Sequence, residues 1–160
     1  MNTHNIEKSD QGYGKILFRF YSNVLDKWMV ETMWAETVDA NKGLYKIESI
    51  PFYASIASND IVLAEYDDSQ QMLTYKETVE FSGNSTVQIV IMDKTLTTNE
   101  IRDIFSTLGC PSERFKEGYF VLEIPADADY KPIKEKLIEL LDKGIIDYAE
   151  PFLSNNHSEE

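Results

Sequence analysis

The 160-residue sequence predicts an α+β fold in two parts, and three observations predict it. Hydrophobic residues recur with period two as far as Phe81, the mark of half-buried strands. Turn-forming residues break that first half at short intervals, as an antiparallel sheet requires. Beyond Ser85, β-branched runs alternate with two windows of helical period. The period changes once, between Ser82 and Ser85, which predicts a five-stranded antiparallel subdomain over 14–84 and an α/β subdomain over 85–153. Residues 1–13 and 154–160 are polar and aperiodic and read as a disordered leader and tail.

The first strand is Lys15 to Ser22, with Ile16, Phe18 and Phe20 on one face. Trp28 to Asp39 follows, with Val30, Thr32, Trp34 and Glu36 alternating against Met29, Glu31, Met33 and Ala35. Asn41-Lys42-Gly43 supplies a tight turn, Gly43 being free to take positive φ. Leu44 to Ile50 is the third strand, closed by Pro51, which cannot donate to a ladder. Asp60 to Asp67 and Met72 to Phe81 complete the set. Five short strands without a helix favour closure, which removes exposed edges, and a small SH3-like β-barrel is the expected form.

Thr86 to Met92 is β-branched and apolar, as a central strand should be. Thr97 and Glu100 make a capping box ahead of Ile101, Ile104, Phe105 and Leu108, and Gly109 stops that helix. Ser112 to Phe115 and Tyr119 to Ile124 flank a turn at Glu117-Gly118. A second helix starts near Asp129, with Pro132 in its first turn and Ile133, Leu137, Leu140 and Leu141 on one face, and Gly144 ends it. Ile145 to Phe152 is the last strand, so the expected order is βαββαβ, the ferredoxin-like arrangement.

Net charge is −13, with 7 basic and 13 acidic residues in 1–84 and 8 and 15 in 85–160, so the acidity is global. A negative surface repels phosphate backbones and attracts basic partners, which disfavours nucleic acid and points to a basic protein partner. No run approaches the ~18 apolar residues of a membrane helix, so no membrane association is expected. Cys110 is the single cysteine, which excludes an internal disulfide and a thiolate metal cluster. The polar start MNTHNIEKSD has no apolar signal core, and the expected compartment is the cytoplasm.

Several short runs carry a family resemblance. They are Met33-Trp34-Ala35-Glu36, then Leu44-Tyr45-Lys46-Ile47 through Ile50-Pro51-Phe52-Tyr53, then Asn59-Asp60-Ile61-Val62-Leu63-Ala64-Glu65. Ser82-Gly83-Asn84-Ser85-Thr86 and Leu108-Gly109-Cys110 complete the series. Together they resemble the bacterial family of domain of unknown function four-two-six-five, over roughly 15–153. Asn59 departs from the pattern, which has glycine before the aspartate. The resemblance implies a bacterial source and a one-piece domain, and it brings no assigned activity or catalytic residues.

Histidine is the most informative absence. His4 and His157 both fall in segments read as tails, which argues against a Ser-His-Asp triad, a Cys-His pair and a histidine metal site. Cys110 follows a helix stop, where the dipole disfavours a thiolate, and reads as structural. Glu36 shares a strand face with Trp34, and a neighbouring strand would bring Glu65 near it. If both faced one pocket beside Trp34 and Tyr53, a cationic ligand would fit; the plainer reading has both carboxylates facing water. Ser82, Asn84, Ser85 and Thr86 form a hydroxyl-rich loop able to hold an anion, or a plain connecting turn. Phe52 to Ser58 is an apolar connection that would leave Phe52 or Tyr53 open to a partner.

These features predict an acidic, non-enzymatic protein that acts by binding a protein partner, as an immunity-like or adaptor protein does. A small-molecule sensor with its ligand in the cleft between subdomains is the first alternative, and a carboxylate hydrolase using Glu36 and Glu65 the second. No cofactor or metal is implied.

Overall fold

The structure is a computed structural model that describes residues 13–22 and 26–158. Most of the expected leader, with His4, and the last two residues of the expected tail lie outside the described residues. The chain divides into two compact units, Met1–Ser49 with Ser58–Ser82, and Ile50–Ala57 with Gly83–Glu160.

The first unit is built from β1 (Tyr13–Ser22), β2 (Lys27–Asp39), β3 (Leu44–Ile47), β4 (Ile61–Asp67) and β5 (Met72–Glu80). They form a closed barrel in the order β1-β2-β3-β4-β5. Each strand is antiparallel to the one before it, so an odd number brings the fifth back parallel to the first. Ile16 meets Leu73 and Leu17 meets Thr74 at that closure. Alternation then decides the interior: Ile16, Phe18, Met33, Ala35, Tyr45, Ile47, Val62 and Ala64 are buried, while Trp34 and Glu36 point the other way.

Two turns show how local chemistry closes this unit. A single 3₁₀ turn, Ala40–Lys42, links β2 to β3, with the Lys42 N–H donating to Asp39 at 3.2 Å. Gly43 follows at φ +73°, and a Cβ there would lie 2.9 Å from the Ala64 carbonyl oxygen, so only glycine fits without displacement. Before β4, Asn59 sits at φ +68°. The family pattern's glycine is thus replaced by the residue that best tolerates the left-handed region.

The second unit holds β6 (Ser85–Ile91), α1 (Thr98–Thr107), β7 (Ser112–Lys116), β8 (Tyr119–Ile124), α2 (Tyr130–Asp142) and β9 (Ile146–Phe152). Its four strands pair antiparallel in the order β7-β8-β6-β9. Val87, Ile89, Ile91, Phe120, Leu122 and Ile124 line one face of that sheet. Ile101 and Phe105 of α1 and Ile133, Leu137 and Leu140 of α2 cover it. Each such side chain contributes about 1.5–3 kcal/mol by leaving water. The capping box is formed as predicted, the Glu100 N–H reaching Thr97 at 3.2 Å and the Thr97 N–H reaching Glu100 at 2.8 Å. Asp129 caps α2 by accepting from the Lys131 N–H at 3.0 Å.

These elements correct the expected class. Nine strands in two sheets, against helices of only 10 and 13 residues, make the described chain mostly β and not α+β. The barrel is an unbroken up-and-down meander closed by a parallel contact, which does not support an SH3-like form. The second unit does run β6-α1-β7-β8-α2-β9, but as a wholly antiparallel four-stranded sheet in the order β7-β8-β6-β9 it is one of two sheets in a mostly β chain, which corrects the expected ferredoxin-like α+β class. The physical reason is weight: a helical window is conspicuous in a sequence, but here it covers little of the chain. The third strand also ends at Ile47 and not at Ile50, and Ile50–Ala57 joins the second unit.

Candidate functional site

The helix-free face of the four-stranded sheet is where the second unit exposes chemistry. Gln88 and Val90 of β6, Tyr119 and Val121 of β8 and Ala149 of β9 share that face by register. Ile50–Ala57 runs across part of it. Its fixing point is the Phe52 carbonyl, which accepts from Gln88 Nε2 at 2.8 Å and from the Tyr119 hydroxyl at 2.7 Å. The Thr86 hydroxyl donates to the Ile56 carbonyl at 3.3 Å, and the Ile50 N–H donates to Glu113 at 3.4 Å. Gln88 is the one polar residue within the run Val87 to Ile91, and it is there to hold this segment.

An aromatic cluster results. The ring of Phe115 lies 4.9 Å from Phe52, 5.8 Å from Tyr53 and 5.5 Å from Tyr119, centroid to centroid. Beside it opens a hollow of about 600 Å³ walled by Tyr53, Val90, Tyr119 and Tyr148. Lys94, Lys116, Glu117 and Asp147 rim it. The two carboxylates are engaged: Glu117 accepts from the Thr98 N–H at 3.0 Å and pairs with Arg114 at 3.3 Å, and Asp147 accepts from the Tyr148 N–H at 2.9 Å. The bonds from Thr98 hold the Glu117 carboxyl below its ordinary range. Neither lysine forms an ion pair with a described carboxylate; Lys94 reaches only the Ile91 carbonyl, at 3.5 Å. Two ammonium groups thus stand beside an aromatic wall.

The residues singled out from sequence are distributed differently. Trp34, Glu36 and Glu65 fall in the barrel unit and Tyr53 in the other. Lys46, and not Glu65, stands opposite Glu36, with Nζ 3.9 Å from its carboxylate. Glu65 lies opposite Thr74, four residues along β4 from the Ile61 that neighbours Lys46, or roughly 13 Å. The two carboxylates therefore do not converge. Trp34 carries the Lys15 ammonium 5.1 Å above its ring.

The hydroxyl-rich loop is occupied by the fold itself. The Ser82 N–H donates to Asp60 at 2.9 Å and its hydroxyl to the Ser58 carbonyl at 2.8 Å, within the first unit. Asn84 accepts from the Ala126 N–H at 2.8 Å, and Ser85 and Thr86 are fully buried.

His157 is the residue that sequence reasoning missed. Far from lying in a loose tail, it is buried, with its Nε2 donating to the Pro125 carbonyl at 2.9 Å. Because a carbonyl only accepts, Nε2 carries a proton, and in the neutral ring Nδ1 then accepts from the Ser85 hydroxyl at 2.6 Å. The Ser154 N–H in turn donates to the Ser85 oxygen at 2.8 Å. This serine–histidine pair has the contacts of a nucleophile and base, but both members are sealed, at 0% and 3% exposure, so it latches residues 154–157 to β6. Nothing in the polar sequence around His157 signals this. Cys110 is buried as well, and its surroundings push the thiol up to about 11. Among the described residues, no group of three or more His, Cys, Asp or Glu is arranged to hold a metal, and no helix is long and apolar enough to cross a membrane.

Fold and hollow together define a mostly β, two-unit protein with one ligand-sized recess on the open sheet face of its second unit. The chain belongs to the family described as Domain of unknown function (DUF4265), whose model matches residues 31–148. A solved structure described as "Novel crystal structure of a hypothetical protein from Neisseria gonorrhoeae" is similar in fold, with a TM-score of 0.76 at 23% identity. The match covers 88% of this chain and 95% of that one. A comparison with curated proteins found no match.

Proposed function

We propose that this protein acts by binding and not by catalysis, and that its ligand is a small anion with a flat apolar body seated in the hollow beside Tyr53 and Tyr119. The carrying observation is the pairing of an aromatic wall with Lys94 and Lys116, neither neutralised by a described carboxylate. A volume of about 600 Å³ suits a metabolite-sized molecule. The walls would cover the rings of such a ligand, and the ammonium groups would take its charge. The sealing of Ser85 and His157 removes the one serine–histidine pair seen among the described residues, which supports the non-catalytic reading.

The test is a thermal-shift series with phenylacetate and indoleacetate against their primary amides. An acid present at ~100 times its dissociation constant should stabilise by ~2.7 kcal/mol, and its amide should do far less. The Lys94→Glu, Lys116→Glu double variant should lose the response. Equal shifts from acids and amides, or none, would overturn the reading.

The net charge of −13 supports a second reading, long-range recognition of a basic protein. It requires that affinity capture from host lysate retain a single basic protein and that added salt release it. Retention insensitive to salt would remove its basis.

A further inference from the structure

The barrel's longest strand is paired on both sides along only part of its length among the described residues. Among the described residues, β2 pairs with β1 along the whole of Lys27 to Glu36, but its pairing with β3 begins at Ala35. The Trp34 carbonyl already accepts from the Glu48 N–H at 3.0 Å, which fixes the direction of alternation. With the β1–β2 register unbroken, Trp28, Val30 and Thr32 also aim their N–H and C=O groups away from β1. Proteins guard such edges with proline, bulges or inward charges; this stretch has no proline and no bulge, and the charges on its inward face, Lys27 and Glu31, are of opposite sign. It presents Trp28 at 63% and Val30 at 58% exposure instead.

We propose that this edge is a homodimer interface, in which Lys27–Glu31 of one copy pairs antiparallel with Lys27–Glu31 of a second about a two-fold axis at Met29. The occupant follows from the register. An axis at Met29 sets Trp28 against Val30 of the second copy, twice, as hydrogen-bonded pairs of an aromatic with a β-branched residue. The same axis sets Lys27 against Glu31, twice, as opposite charges. Moving the axis to Glu31 would place the two carboxylates face to face, and moving it to Val30 would set Lys27 against Met33. Only the Met29 register satisfies both the charges and the apolar face. Repulsion between two acidic molecules is screened beyond about 8 Å at physiological salt, whereas the paired groups are in contact.

Sedimentation equilibrium of the full chain tests this. The expected mass is twice 18.4 kDa. Val30→Pro removes one outward N–H while leaving the pairing with β1 intact, and should give a folded monomer whose far-ultraviolet spectrum matches that of the wild type. Lys27→Glu and Glu31→Lys should each weaken association about tenfold, and the double exchange should restore it. A wild-type monomer at every concentration would overturn the proposal. So would a dimer indifferent to Val30→Pro, or a double exchange no tighter than either single variant; the exchange decides the matter should the proline variant fail to fold.

Discussion

The two units bury their cores by different means, and the difference explains where each has surface to spare. The barrel closes on itself, so one layer of strands supplies both wall and core, and several of its apolar side chains face outward. Trp28, Val30, Val38, Val79 and Phe81 are all more than 45% exposed as a result. The second unit needs two layers: helices seal one sheet face, and Ile50–Ala57 crosses part of the other. Spare surface in the barrel is thus a continuous outer wall and a strand edge. In the second unit it is a recess at the end of an incomplete cover.

The sharpest way to break that comparison is to empty one core and watch the other. Both tryptophans, Trp28 and Trp34, belong to the barrel, while both α-helices among the described residues belong to the second unit. Indole fluorescence and the helical far-ultraviolet signal therefore report separate units. Phe120→Ala empties a fully buried site beneath the helices and should cost about 3–5 kcal/mol in urea unfolding of the helical signal. Ile47→Ala, fully buried in the barrel, should cost about 2–5 kcal/mol in the fluorescence transition. Each variant should move its own signal further than the other. Equal movement of both signals by either variant would show that the division into two cores has no energetic meaning.

A smaller effect separates the units by how their chain ends are tied. His157→Ala strips the Pro125 carbonyl and the Ser85 hydroxyl of their partner in a buried setting, and should cost about 2 kcal/mol in the helical signal alone. His157→Gln, which can still donate to the carbonyl, should recover part of that. If His157→Ala leaves the helical transition in place, the latch contributes nothing.

The same contrast shows which features a reader of the sequence could find. Strand alternation, the Thr97–Glu100 capping box and both helix windows are local, and each appears where its residues say. Asn59 stood out only as a departure from the family pattern, and its positive φ shows why asparagine can stand for glycine there. Barrel closure was not legible in detail, because the pairing of Ile16 with Leu73 joins residues far apart and leaves no periodic trace. The crossing of Ile50–Ala57 into the second unit was hidden for the same reason, and with it the hollow. The single-letter hint was Gln88, a lone amide in an apolar strand. The class failed because two short helices were given the weight of a layer equal to nine strands.

The finest distinction between the two cores is electrostatic, since only the second unit encloses a thiol. Burial, and then the nearby Glu123, pushes the Cys110 thiol from 9.0 up to about 11. The folded chain thus disfavours the thiolate more than the unfolded chain does. The resulting stability is fully present below pH 9.0 and is lost as the pH rises through about 11. Cys110→Ala should flatten the stability curve of the helical signal across that window, while the tyrosine and lysine titrations common to both chains cancel in the difference. The barrel's fluorescence transition should show no difference at all. Parallel curves for the two chains would mean that the thiol meets water in the folded state, and the core beneath α1 would then be looser than its complete burial of Phe105 implies.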